Sequence, residues 1–330
     1  MAKTTRLLKN FYKLLLPLVI LVVLASAGAA VWLVHQTSHP VANDYLVTPD
    51  KYGLLSSRAA QVTDETWANS DGTSARGWLL RGMTGSPAVI LLHKYGADRS
   101  YLLNLGVKMN EATNFTILMP DLRGHGQNPA VNYTSFGGCE GADAASAVKY
   151  LRELRTQDQL GLVGNDVGVY GLEMGSLAAL SAAVNDVNIK ALALDSVPQD
   201  ADTLVASAVN KRYPFASSVT SRIAQYGTTP YFFESCFQKA PACDMAKLVA
   251  NRKVMLLGGV DAPDLQESTL KLSKCFPQGT VTDVKTDLSP SGYTIINASI
   301  DLSTAYDQRV IDFFRQSLGP PPVEMQIAAN

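Results

Sequence analysis

The sequence predicts an α/β protein with a mostly parallel sheet flanked by helices, a helical cap and one N-terminal membrane helix. Three observations predict it. Short apolar runs of strand character alternate with segments apolar at helical spacing, the pattern of a parallel sheet covered on both faces. Leu14 to Val34 runs 21 residues without a charge. At about 1.5 Å rise per residue, that length crosses a hydrocarbon core of about 30 Å. The stretch 199–250 breaks the alternation and reads as an inserted cap.

Taken in order, residues 1–13 carry Lys3, Arg6, Lys9 and Lys13 and no acid. Beyond the apolar run 14–34, no Lys or Arg occurs until Lys51. The positive-inside bias therefore puts the N-terminus in the cytoplasm and the remainder on the extracytoplasmic, periplasmic side. A cleaved signal peptide is the competing reading, with Ala25-Ser26-Ala27 as its site. The run continues through Val31-Trp32-Leu33-Val34, longer than an ordinary signal core, and this favours an uncleaved anchor. Residues 35–58 are polar and aperiodic and read as a linker.

A globular domain is expected over 59–318. Gln61 to Ala68 and Ser74 to Arg81 flank the turn signal Ser70-Asp71-Gly72 and predict a hairpin. Pro87 to His93 is a short apolar run, as a fully buried strand should be. Further strands are expected at 115–119, 167–170, 189–194, 254–257 and 281–286. Helices are expected at 99–112, 142–154, 176–184, 265–272 and 306–317. The tail 319–330 is expected to fray.

Composition narrows the function. Hydrophobic residues make up 47% and charged residues 17% of the 330, with a net charge of −1. This excludes a disordered chain and leaves no basic footprint for nucleic acid. Four cysteines, none at metal-ligand spacing, imply neither a metal site nor a disulfide scaffold, and no cofactor motif occurs. Cys236 and Cys243, with Pro241 between them, are expected to pair, leaving Cys139 and Cys275 as free thiols.

Several motifs then fall in one order. Gly171-Leu172-Glu173-Met174-Gly175 follows a strand and precedes a small-residue helix. It resembles the nucleophile elbow of the α/β-hydrolase superfamily, G-x-S-x-G. Asp71 to Trp78 resembles that fold's first hairpin, and Leu91 to Gly96 its His-Gly oxyanion strand end. Pro120 to Asn128 resembles the D-x-R-G-H-G-x-S turn, and Phe136 to Leu151 the helix after it. Ile189 to Pro198 resembles the strand after the elbow. Together they cover about residues 60–318 and are most similar to membrane-anchored bacterial proteins of the serine aminopeptidase-like and dienelactone hydrolase-like branches.

The resemblance implies a nucleophile, an acid and a histidine in that chain order. Glu173 stands at the nucleophile position. Asp261 fits the acid position, ahead of Asp264. Tyr293, in Ser291-Gly292-Tyr293, stands where the histidine belongs, and no histidine follows His125. The oxyanion donors would be the N–H of Met174 and one from the loop at Lys94 or Tyr95. Two fates for Glu173 remain open: its carboxylate folds back onto those donors, or it pairs with Lys94, which replaces the expected glycine. Ser176 is expected to cap the following helix. His93 and His125 are expected to shape backbone turns, and Cys139 to be a packing residue.

The expected function is a membrane-anchored α/β-hydrolase-fold protein without serine-hydrolase chemistry. It would bind a small molecule or a protein partner, or serve as a subunit of a membrane complex. The alternative is a working hydrolase of an ester, amide or halide using an unconventional Glu173/Asp261 set.

Overall fold

The computed structural model describes residues 2–41, 44–54, 56–214, 217–233, 236–237 and 239–319. These fall into two compact units, Met1–His39 with Asp202–Ser235, and Pro40–Ala201 with Cys236–Asn330. The expected tail lies outside the described residues from 320 onward.

The first unit is helical. Helix α1 (Ala2–Ser38) contains Leu15–Ser38, which has a mean hydropathy of 2.5 and is long and apolar enough to cross a membrane. Leu16 and the run from Leu18 to Leu24 are exposed. Two further helices lie in the cap region, and one of them packs along the C-terminal part of α1.

The second unit opens with a segment expected to be a free linker. Within the second unit that stretch carries structure of its own, with Pro49–Gly53 forming a short helix, α2. Two tyrosines dock the segment. The Tyr45 ring meets Trp78 edge-on at 5.0 Å, and its hydroxyl donates to Asp121 Oδ2 at 3.1 Å while accepting from Arg99 Nε and Nη2. The Tyr52 hydroxyl donates to Asn104 Oδ1 at 2.6 Å.

A hairpin follows, β1 (Thr63–Ala68) and β2 (Ser74–Leu80), joined through Asp71, whose carboxylate accepts from the Thr73 N–H. Strand β3 (Ser86–Leu92) leads into α3 (Leu103–Thr113), then β4 (Thr116–Pro120) and α4 (Gly138–Glu153). Strand β5 (Val163–Leu172) is longer than the apolar run suggested, starting in the half-buried Val163-Gly164. Helix α5 (Met174–Asn185), β6 (Ile189–Asp195), α6 (Ala201–Arg212) and α7 (Ser217–Tyr231) come next. Helix α8 (Ala242–Ala246), β7 (Lys253–Gly259), α9 (Pro263–Leu272), β8 (Val281–Leu288) and α10 (Ile300–Leu318) follow.

The eight strands make one sheet in the order β1-β2-β4-β3-β5-β6-β7-β8. Strand β2 pairs antiparallel with β1 and β4, and every other pairing is parallel. The central strands β3, β4 and β6 are buried almost throughout, which is why their sequences read as continuous apolar runs. Helix α10 turns Tyr306, Val310, Phe313 and Phe314 inward at helical spacing, and the Ser299 hydroxyl caps it by accepting from the Leu302 N–H.

The cap expected at 199–250 divides. Helix α6 from Asp202 on and helix α7 belong with α1, whereas 236–250 belongs with the sheet, because α8 packs on α5 and α9. Within the first unit, Gly227 of α7 lies against the Ala30 carbonyl so closely that a Cβ there would collide. The contact continues where His35 Nδ1 meets the Tyr231 hydroxyl at 3.0 Å and Ser38 Oγ donates to the same oxygen at 3.0 Å.

The cysteine pairing differs from expectation. Cys139 pairs with Cys236 and Cys243 with Cys275, at Cα–Cα separations of 5.0 and 5.3 Å. The fold brings the start of α4 to residue 236 and the end of α9 to α8, contacts that spacing along the chain cannot reveal.

Candidate functional site

The elbow forms because β5 must reverse into α5 within one residue. Glu173 takes φ 50° and ψ −107°, a conformation that L side chains adopt at a cost and that marks functional turns. The positions two residues to either side must be glycine. A Cβ on Gly171 would strike the Gly175 carbonyl, and one on Gly175 the Leu92 carbonyl at the end of β3. The main chain locks the turn: the Glu173 N–H donates to Asp195 O at 3.0 Å, and the Ser176 N–H to Glu173 O at 2.9 Å. Ser176 does not cap α5. Its buried hydroxyl donates instead to the carbonyls of Gly171 (2.6 Å) and Asp195 (2.9 Å), stitching the ends of β5 and β6.

Glu173 is 5% exposed, and its carboxylate reaches the loop after β3. The Tyr95 N–H, one of the two expected oxyanion donors, points into Glu173 Oε2 at 2.9 Å. The other expected donor belongs to Met174, the buried first residue of α5, whose sulfur accepts from Thr134 Oγ1 at 3.3 Å. The Tyr293 phenol faces the Glu173 carboxylate. Burial, then the Glu173 charge and the acceptor it offers, push the phenol up to about 12. A phenol so placed stays protonated near neutrality and donates; it cannot serve as the missing base.

Lys94 reaches across the same cleft. Its Nζ donates to the Tyr293 carbonyl at 2.5 Å and lies 4.2 Å from the Tyr293 ring centre and 4.7 Å from that of Tyr101. Tyr101 donates to the carbonyls of Gly292 and Tyr293 at 2.9 and 2.8 Å, fixing the loop from the other side.

Asp261 bonds the residues on either side of Gly292-Tyr293 and so braces the loop. Its carboxylate accepts from the Ser291 N–H (3.0 Å), Ser291 Oγ (2.9 Å) and Thr294 Oγ1 (2.6 Å). Burial works to raise this carboxyl, but these bonds hold it below the usual carboxylate range. Asp264 sits in the first turn of α9.

The sequence reading missed Asp195. It is fully buried at the end of β6 and accepts from Gly292 N–H at 2.8 Å, Ser196 Oγ at 2.7 Å and the Tyr306 hydroxyl. Tyr306 in turn meets the Tyr170 hydroxyl at 2.9 Å. Burial raises the Asp195 carboxyl against these bonds. A signal existed: Asp195 is the one charge closing the apolar run Ala191 to Leu194, where an acid must find buried partners.

Both loop histidines are consumed by backbone. His93 Nδ1 donates to its neighbour's carbonyl, Lys94 O, at 2.8 Å while Nε2 accepts the Leu122 N–H at 3.0 Å. His125 Nδ1 donates to Arg123 O at 2.7 Å, and Nε2 accepts the Gly96 N–H at 3.0 Å. The network fixes the neutral tautomer in each ring. Burial lowers both to about 4, so both are uncharged at neutral pH. With both ring nitrogens occupied, neither can take a proton from a substrate. Cys139 is likewise committed, to its disulfide. Among the described residues, no group of three or more His, Cys, Asp or Glu side chains could hold a metal ion.

The sheet order, the elbow between β5 and α5 and the loops at the strand ends define an α/β-hydrolase fold, and comparison with solved structures bears this out. An esterase of Pyrococcus furiosus, Pf2001, superimposes with a TM-score of 0.62 at 20% identity, covering 86% of this chain and 99% of that one. The α/β hydrolase GrgF from Penicillium sp. sh18 gives 0.56 at 15% identity, covering 78% and 99%. Dienelactone hydrolase from Anabaena variabilis gives 0.53 at 16%, again covering 78% and 99%. No protein-family model and no curated protein sequence matches the chain.

Proposed function

We propose that this protein is a membrane-anchored α/β-hydrolase-fold protein that has given up serine-hydrolase chemistry and acts by binding a small molecule or a protein partner, alone or within a membrane complex. One observation carries the reading. The Glu173 carboxylate stands in the nucleophile's seat, accepts the Tyr95 N–H that would otherwise stabilise an oxyanion, and faces the protonated Tyr293 phenol. Acyl transfer needs a nucleophile, a base and open oxyanion donors. Here a carboxylate replaces the first, a protonated phenol the second, and one donor is already engaged.

A carboxylate nucleophile would still need a base to activate water, and His93 and His125 are tied up by backbone. Loss of nucleophile or base costs about a million-fold in serine hydrolases, and what remains there depends on the oxyanion hole and binding. Anchoring through 14–34 with the domain on the extracytoplasmic side is supported by the basic residues before the apolar run. The two disulfides agree with it, since such pairs persist in oxidising compartments.

The test is direct. The full chain in detergent is treated with a fluorophosphonate probe and a panel of p-nitrophenyl esters. No labelling and no turnover above background are expected, and Glu173→Ser alone should change neither, because it supplies a nucleophile without a base. Turnover in the unmodified protein that vanishes in Glu173→Ala would overturn the reading in favour of a carboxylate nucleophile.

A further inference from the structure

Away from Glu173, a half-open cavity of about 660 Å³ lies between the 46–52 segment, α3, the 295–300 loop and the start of α10. Small-molecule sites typically measure about 300–1,000 Å³. Its walls are Tyr52, Tyr101, Leu105, Tyr170 and Tyr306. Its rim is apolar and wet: Leu46 is 61%, Ile296 52% and Ile300 83% exposed. Three large apolar side chains gathered at the mouth of a cavity, rather than scattered singly, mark a surface that something apolar covers.

The polar groups decide what that is. Asp307 Oδ2 accepts from Lys108 Nζ and from Asn104 Nδ2, each at 2.8 Å. The Tyr52 hydroxyl spends its proton on Asn104 Oδ1. Tyr101 spends its own on main-chain carbonyls, and Tyr170 and Tyr306 bond to each other. The charges are thus neutralised within the wall, and a charged ligand would be desolvated here without a counter-ion. Lys108 Nζ also donates to Thr304 Oγ1 at 3.3 Å. What stays open is acceptor capacity at the Tyr52 hydroxyl and donor capacity at the third Lys108 proton and the Thr304 hydroxyl, Tyr52 and Lys108 being joined through Asn104 and Asp307.

We propose that this cavity binds an uncharged amphiphile, a molecule with an apolar chain and a single hydrogen-bonding end such as a hydroxyl. The chain would lie along Leu105, Tyr170 and Tyr306 under the apolar rim, and the hydroxyl would sit between Tyr52 and Lys108. The proposal does not rest on the Glu173 reading, because no residue of the cavity belongs to the nucleophile, base or oxyanion positions.

The test uses the full chain in phospholipid nanodiscs and a hexadecanol analogue bearing a diazirine in its chain. After illumination, modified peptides are mapped by mass spectrometry. Peptides containing Tyr52, Leu105 and Ile296 should be labelled, with labelling of α1 serving as the measure of simple partition into lipid. A tenfold excess of hexadecanol should suppress the cavity labels at least fivefold, and hexadecanesulfonate should not. Leu105→Trp, which fills the cavity, and Ile296→Trp, which blocks its mouth from a half-exposed position, should each cut the cavity labels about fivefold and leave α1 unchanged. Labels confined to α1, equal competition by the sulfonate, or cavity labels undiminished in a folded Ile296→Trp protein would each overturn the proposal. The map and the competition need no variant, so a misfolded Leu105→Trp protein does not spare it.

Discussion

Replacing Tyr293 by phenylalanine removes one oxygen and isolates the bond on which the site reading depends. The Phe ring would still lie under Lys94 Nζ, and the main-chain carbonyl at 293 would still accept from Lys94 and Tyr101. What disappears is the donor to Glu173, whose carboxylate is 5% exposed and keeps the Tyr95 N–H. A hydrogen bond to a charged group contributes about 1.5–3 kcal/mol, and a buried partner cannot recover it from water. We therefore expect Tyr293→Phe to lose about 2 kcal/mol, a fall in Tm of about 4–8 °C for a domain of this size. In a Glu173→Ala background the same substitution should cost less than about 0.5 kcal/mol, giving a coupling energy of about 1.5 kcal/mol or more. Urea unfolding of the four proteins in one detergent, followed by near-ultraviolet circular dichroism, measures the cycle. Additive effects, with Tyr293→Phe as stable as the parent in both backgrounds, would refute a Glu173–Tyr293 bond and with it the account of the occupied nucleophile seat.

Two other expectations concern the scaffold. His93 and His125, lowered from 6.5 to about 4 by burial, take protons later in the folded than in the unfolded chain. Stability should hold above pH 6.5 and decline as pH falls toward 4, by up to about 3 kcal/mol per ring; urea titrations at pH 7, 5.5 and 4.5 should show a shallower decline for His125→Gln. The disulfides close segments of 97 and 32 residues, and loop-closure arguments give upper figures of about 4.7 and about 3.7 kcal/mol respectively. Non-reduced peptide maps should join Cys139 to Cys236 and Cys243 to Cys275, and dithiothreitol should lower the unfolding midpoint; a Cys236–Cys243 peptide would contradict the fold around α8.

What could be read from the chain was whatever short-range physics dictates. Ala88 to Leu92 and Ala191 to Leu194 are buried on both faces, so their apolar runs announced strands. Gly171 and Gly175 marked the elbow because nothing larger fits between β3, β5 and α5. The position of Tyr293 in the loop after β8 followed from chain order. Long-range pairings were not legible. Cys139 and Cys236 are separated by 97 positions, and the sheet, not their spacing, brings them together. Tyr45 and Tyr52 sat in a polar stretch with no periodicity, and two aromatic contacts were enough to dock it. Asp195 was passed over because its partners, Gly292 and Tyr306, lie on elements about a hundred residues away. The fate of Glu173 was open between two partners because side-chain reach, not sequence, decides which donor a carboxylate finds.

The close approach of Gly227 to Ala30 has a consequence for how the apolar N-terminal helix is treated in experiments. If α1 were only a tether, any hydrophobic span of equal length could replace it. Its last turns instead belong to a folded interface with α7, complementary in shape at one small residue and in hydrogen bonding at His35, Ser38 and Tyr231. A chimera carrying a foreign span should retain membrane association yet leave α7 without its packing partner. Truncations that begin after residue 39 would remove half of a unit rather than a leash. Positions 30 and 227 are the ones at which bulk is least exchangeable, and the helix is specified there by its neighbour as much as by its apolar composition.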